Sequence, residues 1–236
     1  MKIEIWSDIM CPFCYIGKKK FETALEQFPH KDQIEVEWKS FQLMPELETA
    51  AATSLEDILV TRKGLSREQV RSMNQQITLT AKQVGIEFNL DRSQPANTLK
   101  AHRFLHYAKT VDKQTPAEES LFKAYFTEGK NVDDNDELVS IGSELGMNPE
   151  ALKEVLNSER YTREVEADIQ DAAQIGVRGV PFFVFDRKAA VSGAQDPQTF
   201  TQALQQTFAA WEQENKAAKL QIISDGSACD MDGSCN

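Results

Sequence analysis

The chain has 236 residues, with 26 Lys and Arg against 37 Asp and Glu, a formal net charge of −11 at pH 7. That balance argues against nucleic acid and anionic lipid as partners, since both need a basic face. A content of 41% hydrophobic and 27% charged residues fits a globular chain of one large domain, or a domain with a sizeable insertion, that folds without disulfide staples. No apolar run approaches the roughly 20 residues that cross a bilayer, so no membrane association is expected. Met1 to Trp6 also lacks the apolar stretch of a signal peptide. The sequence therefore predicts a cytoplasmic protein, where cysteines serve catalysis or metal binding more often than structure.

Residues 2–6 alternate polar and apolar and predict a strand. From Cys11 to about Phe28 the period is helical, with Phe21, Ala24, Leu25 and Phe28 on one face and Pro29 at the end. Alternation returns at Ile34–Trp38 and continues through Phe41, so the opening is β-α-β. From about Met44 the pattern stays helical for about 130 residues. Ser54-Leu55-Glu56-Asp57 and Ser66-Arg67-Glu68-Gln69 read as capping boxes. The second opens a helix with Val70, Met73, Ile77, Ala81 and Val84 inward and Gly85 at its end. A helix from about Asn97 buries Leu99, Ala101, Leu105 and Ala108. Thr115-Pro116 predicts the next, with proline at its first position, Leu121, Phe122, Tyr125 and Phe126 inward, and Gly129 closing it. Leu138, Ile141 and Leu145 before Gly146, then Asn148-Pro149 before Leu152, Val155 and Leu156, repeat the grammar. A helix over 158–175 stops at Gly176. Gly179–Phe185 is an apolar strand, Asp186–Lys188 a turn, and Ala189–Ser192 a partner strand. Asp196-Pro197 caps a last helix carrying Phe200, Ala203, Leu204, Phe208 and Trp211. Beyond it comes a small, acidic, turn-rich tail.

The chemistry begins at Cys11-Pro12-Phe13-Cys14, between a strand and a helix. A C-x-x-C in that setting reads as a thioredoxin-like redox site. The first cysteine falls where unpaired N–H groups and the helix dipole favour a thiolate. The second stands one turn along the same face, a spacing that permits a disulfide. Cys11 is the expected exposed nucleophile and Cys14 the resolving thiol. Pro12 suits the first turn because it has no N–H to waste. Phe13 adds no charge, so the expected potential is glutaredoxin-like, roughly −200 to −230 mV, and less oxidising than DsbA. Zinc would need two more ligands, and neither a second C-x-x-C nor a C-x-x-H is present.

Pro181 precedes an apolar strand, where proline is tolerated only at the first residue or an edge. A cis bond there would leave the backbone of Val180 free to pair with an extended substrate peptide. Trp6-Ser7-Asp8-Ile9-Met10-Cys11-Pro12-Phe13-Cys14-Tyr15-Ile16-Gly17, the helical block, and Ile175-Gly176-Val177-Arg178-Gly179-Val180-Pro181-Phe182-Phe183 together resemble the DsbA family, most closely its cytoplasmic FrnE-like branch of thiol–disulfide oxidoreductases. The resemblance covers roughly residues 1–215. It implies an α/β thioredoxin-like fold, residues 1–44 and 176–215, with a large all-helical insertion over 45–175 and a flexible tail over 216–236. It identifies Val180-Pro181 with the family's cis-proline dipeptide, packed against the cysteines. Cys11, Cys14 and Pro181 are then the catalytic set, and Pro12, Phe13 and Val180 contact substrate. Protein or small-molecule disulfides are the implied substrates. Thioredoxin or the glutathione system is the implied electron donor. No cofactor beyond the redox-active disulfide is expected, with glutathione as a conceivable co-substrate.

Cys229 and Cys235 lie in the tail, close enough to pair with each other and on a linker long enough to reach Cys11. They form a candidate accessory redox pair, against a passive tail or a four-thiolate zinc site with the first pair. Some FrnE-like relatives carry such an extra pair. His102 and His106, spaced i and i+4, read as solvated or packing histidines rather than ligands, with a substrate-facing role open. Asp8 reads as a turn residue or as a buried acid that moves protons.

Two other functions compete. Kappa-class glutathione transferases and hydroxychromene carboxylate isomerases share the superfamily but typically carry serine at the first active-site position. For them, the Asp196 helix start would hold a glutathione carboxylate or amine. A holdase with an apolar groove would need no dithiol at all.

Overall fold

Ile3 and Ile5 alternate with Glu4 and Trp6 in β1 (Lys2–Ser7), and all four are buried, so one strand feeds a core on each face. The computed structural model that shows this describes residues 1–49 and 54–217. β2 (Glu35–Ser40) runs parallel to β1 with Ile3 opposite Val36 and Ile5 opposite Trp38. A parallel neighbour needs a crossover, and α1 (Pro12–Glu26) supplies it. β3 (Phe182–Phe185) pairs antiparallel with the other side of β1, and β4 (Ala189–Ser192) extends the sheet as a hairpin, giving the order β2-β1-β3-β4. Asp186 and Arg187 turn that hairpin at φ 50° and 53°, the left-handed pair that matches strand twist. α9 (Pro197–Ala217) packs beside α1. The core on this face is aromatic: Phe183 stands 5.5 Å from Phe21 and 4.6 Å from Phe200, ring to ring.

Between β2 and β3 lie seven helices of the described chain: α2 (Leu55–Lys63), α3 (Arg67–Gln83), α4 (Leu99–Thr110), α5 (Gln114–Lys123), α6 (Asn135–Glu144), α7 (Pro149–Leu156) and α8 (Thr162–Gln174). Both capping boxes form, Ser54 with Asp57 and Ser66 with Gln69. Asn148 caps α7 with Pro149 at its first position. These helices build their own core around Phe104, Leu121, Phe122, Tyr125, Phe126 and Leu152. Tyr15 of α1 stacks on Phe122 at 4.9 Å, which locks the helix carrying the cysteines to the inserted block.

The buried carboxylate of Asp168 on α8 pins the block to the sheet. It accepts the Ser40 N–H (2.9 Å), meets His106 Nε2 (3.1 Å) and pairs with Lys39. Its own carbonyl accepts the Trp6 indole N–H at 2.9 Å. Burial alone would raise the pKa of Asp168, but these partners hold it below the usual carboxylate range.

Several predicted details differ. α5 begins at Gln114, so Pro116 is its third residue, and a π turn over Ala124–Glu128 continues it to Gly129. α8 begins at Thr162 rather than 158. The Arg103 guanidinium takes the carbonyls of Val155, Ser158 and Arg160, leaving nothing to drive an earlier helical start, and Tyr161 turns at φ 68°. β3 starts at Phe182 rather than 179, because Pro181 has no donor for the ladder. Leu99 is half-buried, and Met73 is exposed beside the cysteines rather than in the helical core. Asp196 stands just before α9, where its carbonyl accepts the Thr199 N–H at 2.9 Å and its carboxylate pairs with Lys20 at 3.0 Å. Most of the expected tail, with Cys229 and Cys235, lies outside the described residues.

Candidate active site

Cys11 occupies the N-cap of α1 in an extended conformation, with Pro12 at the first helical position. No acidic side chain stands in that first turn. Cys11 and Cys14 are both free thiols. The Cys11 thiol donates to the Val180 carbonyl at 3.5 Å, which puts the cis Val180–Pro181 peptide directly against the reacting sulfur. Gly17 makes the approach possible: a Cβ there would sit 2.9 Å from Pro181 Cγ. Phe13 is 45% exposed, whereas Pro12 and Val180 are half-buried and Pro181 is buried.

Cys11 is not the exposed residue expected from the sequence. It is only 5% accessible, because the start of α1 is docked against the proline loop. It opens instead into a hollow of about 420 Å³, walled by Met10, Phe13, Leu43, Met44, Ile58 and Met73 among others. A larger cleft of about 960 Å³ on the far side of α3 holds no cysteine.

Behind Cys14 lies a buried polar cluster. Burial pushes the Cys14 thiol pKa well up, and neighbouring Cys11 adds to the rise. The Asp8 backbone and the Ser7 hydroxyl act in the other direction. Ser7 Oγ also bonds Glu118 Oε1 at 2.8 Å. Glu118, on α5, is buried, its second carboxylate oxygen has no partner, and burial raises its pKa to about 7. Asp8 is wholly buried as well: its carboxylate accepts the Leu43 N–H (2.7 Å) and meets His102 Nε2 (3.3 Å). Both placements of Asp8 hold: the acid is buried, and its carbonyl accepts the Cys11 N–H at 2.9 Å, which makes it the first residue of the turn into α1. Neither histidine is solvated, and His102 faces this cluster, not substrate, because buried acids from distant parts of the chain, Asp8 and Asp168, claim the two rings. Among the described residues no group of three or more His, Cys, Asp or Glu could hold a metal ion.

Sequence reasoning missed Ser7 and Glu118. One signal was available. Glu118 stands three and four residues before Leu121 and Phe122, an ionisable group on the apolar stripe of its helix.

A thioredoxin-type sheet, a dithiol at a helix start and a cis-proline against it define a class of protein. Residues 2–205 match the DSBA-like thioredoxin domain, and the chain belongs to that family. A probable DsbA oxidoreductase from Streptomyces coelicolor is 36% identical, with a TM-score of 0.83 over 100% of this chain and 98% of that one. The uncharacterized protein YwbO of Bacillus subtilis (strain 168) is 27% identical over 86% of this chain and 94% of its own length. A 2-hydroxychromene-2-carboxylate isomerase structure shares the fold at 15% identity and a TM-score of 0.64, covering 93% of this chain and 100% of that one. No helix among the described residues is long and apolar enough to cross a membrane.

Proposed function

We propose that the chain is a thiol–disulfide oxidoreductase that acts on protein or small-molecule disulfides through Cys11 and Cys14. The observation that carries this reading is the free dithiol across the first turn of α1 with the Val180 carbonyl 3.5 Å from Cys11 Sγ. In the reducing direction, the Cys11 thiolate attacks a substrate disulfide. A Cys11–substrate mixed disulfide forms and one substrate thiolate leaves. Cys14 then attacks Cys11 Sγ, closing the Cys11–Cys14 disulfide and releasing the second substrate thiolate, so two electrons pass to substrate. One dithiol of thioredoxin, or two glutathione thiols that leave as glutathione disulfide, restores the free pair.

The second step needs the Cys14 proton removed, and burial opposes that. Ser7 has one hydroxyl proton to share. With Cys14 as a thiol, the hydroxyl accepts from sulfur and donates to the Glu118 carboxylate. Once the proton has passed on, it donates to the Cys14 thiolate and accepts from protonated Glu118. A carboxyl whose pKa is about 7 is matched to this exchange near neutral pH.

The intact dithiol favours this reading over a glutathione-dependent transferase or isomerase, whose support is shared fold alone. We place the chain in the FrnE-like branch, which is cytoplasmic, on its Cys11-Pro12-Phe13-Cys14 and Val180-Pro181 motifs. Cys229 and Cys235 are proposed to exchange with the first pair.

Equilibration in glutathione redox buffers, with mass spectrometry of the Cys11–Cys14 disulfide, tests the proposal. A reversible two-electron transition near −200 to −230 mV is expected. Unreactive thiols would overturn it. Deleting residues 220–236 should shift the midpoint if the tail pair takes part.

A further inference from the structure

The hollow beside Cys11 has an unusual charge. In a chain of net charge −11, its walls hold two cations, Arg62 and Lys63, and no carboxylate. Both cations are exposed at the end of α2, and neither forms an ion pair with a described residue. The helix dipole favours basic groups at that end. It does not explain why both border the one hollow that contains the nucleophile. The remaining wall is apolar and rich in methionine: Met10, Met44 and Met73 line it with Phe13 and Leu43. Methionine is unbranched and polarisable, and it repacks around side chains of different shape.

The hollow also has a larger neighbour. Asn74 and Leu90 line both it and the larger cleft over α3, so the two adjoin through shared walls. At about 420 and 960 Å³, they together exceed the ~300–1,000 Å³ typical of a small-molecule pocket. The charge is local to the first part. Around the cleft, Arg71 and Arg92 are balanced by Glu56 and Asp91, and Arg71 is already paired with Glu56.

Resting on the oxidoreductase reading, we infer that the preferred substrate is an extended polypeptide disulfide with a bulky apolar residue beside the reacting cysteine and a carboxylate within a few residues of it. The apolar side chain enters the methionine-lined hollow. The carboxylate meets Arg62 and Lys63 at the rim. The rest of the segment runs on over α3.

The test uses the full-length protein and three disulfide substrates: a peptide with Cys-Leu-Glu-Glu, the same peptide with Cys-Leu-Gln-Gln, and glutathione disulfide. The expected result is a kcat/KM for the Glu peptide about five- to tenfold above that for the Gln peptide, the scale of two exposed charge pairs. The difference should sit in KM and fade at 0.5 M salt, where screening lengths fall to a few ångströms. In Arg62→Gln/Lys63→Gln the ratio of kcat/KM between the two peptides should fall to about one. Equal rates for both peptides in the native protein would overturn the inference and leave the oxidoreductase reading standing, as would glutathione disulfide outrunning both. No turnover of any of the three would overturn both.

Discussion

Glu118→Gln separates the functional role of the buried acid from its energetic cost. In the folded chain Glu118 keeps its proton up to about pH 7, against an ordinary value of 4.5 in the unfolded chain. Between those values the folded state binds the extra proton, so stability falls as pH rises through the window and is lowest above it. The separation corresponds to about 3 kcal/mol, undiscounted because the group is fully buried. Gln keeps an acceptor for Ser7 and never ionises. The variant should therefore match the native protein at pH 4 and exceed it by about 3 kcal/mol at pH 8, a rise of about 6–12 °C in melting temperature for a chain of this size. Denaturant unfolding of both proteins at pH 4, 6 and 8 measures it. A stability difference that does not grow with pH would refute the ionisation argument. The same variant should resolve a preformed Cys11 mixed disulfide about a hundredfold more slowly at pH 7, as loss of a general base implies. Unchanged resolution would remove Glu118 from the chemistry whatever its effect on stability.

Asp168→Asn should cost about 1–3 kcal/mol, because it leaves half-buried Lys39 with only Glu37 at 3.7 Å and weakens the bonds to Ser40 and His106; urea titration at pH 7 reads the loss. Gly17→Ala should destabilise by about 1–3 kcal/mol despite alanine's better helix propensity, since its methyl meets Pro181 Cγ at 2.9 Å. A more stable Gly17→Ala protein would show that the proline loop yields freely. Cys14→Ser should accumulate a covalent Cys11–substrate adduct, visible as a mass increase that dithiothreitol reverses.

What the sequence made legible was local. The dithiol, Pro12 at the helix start, the capping boxes at Ser54 and Ser66 and the Asn148-Pro149 start of α7 each declare themselves within four residues. The polar machinery behind Cys14 does not. Ser7 and Glu118 are 111 residues apart in the chain, and Asp8 and His102 are 94. No period or spacing links such positions before the inserted block folds onto the sheet. Arg103 acts over a similar range, taking the carbonyls on which the predicted early start of α8 depended. Met73 failed for another reason. Its helical periodicity is sound, but the face it shares with Ile77 borders the hollow at Cys11 as well as the core.

Strand order has a consequence for how the protein is made. β1 is central in the finished sheet, yet its second neighbour, β3, comes about 140 residues after β2. At translation rates of about 5–20 residues per second, that interval lasts roughly 7–30 s. Throughout it a nascent chain has Cys11 and Cys14 in hand, but neither the loop that covers the first nor, until α5 emerges, the acid that serves the second. One long edge of β1 is bare for the same period, and exposed edges invite pairing with other chains. The ribosome thus releases a dithiol before its housing, and crosslinking to bystander thiols is a hazard set by gene order.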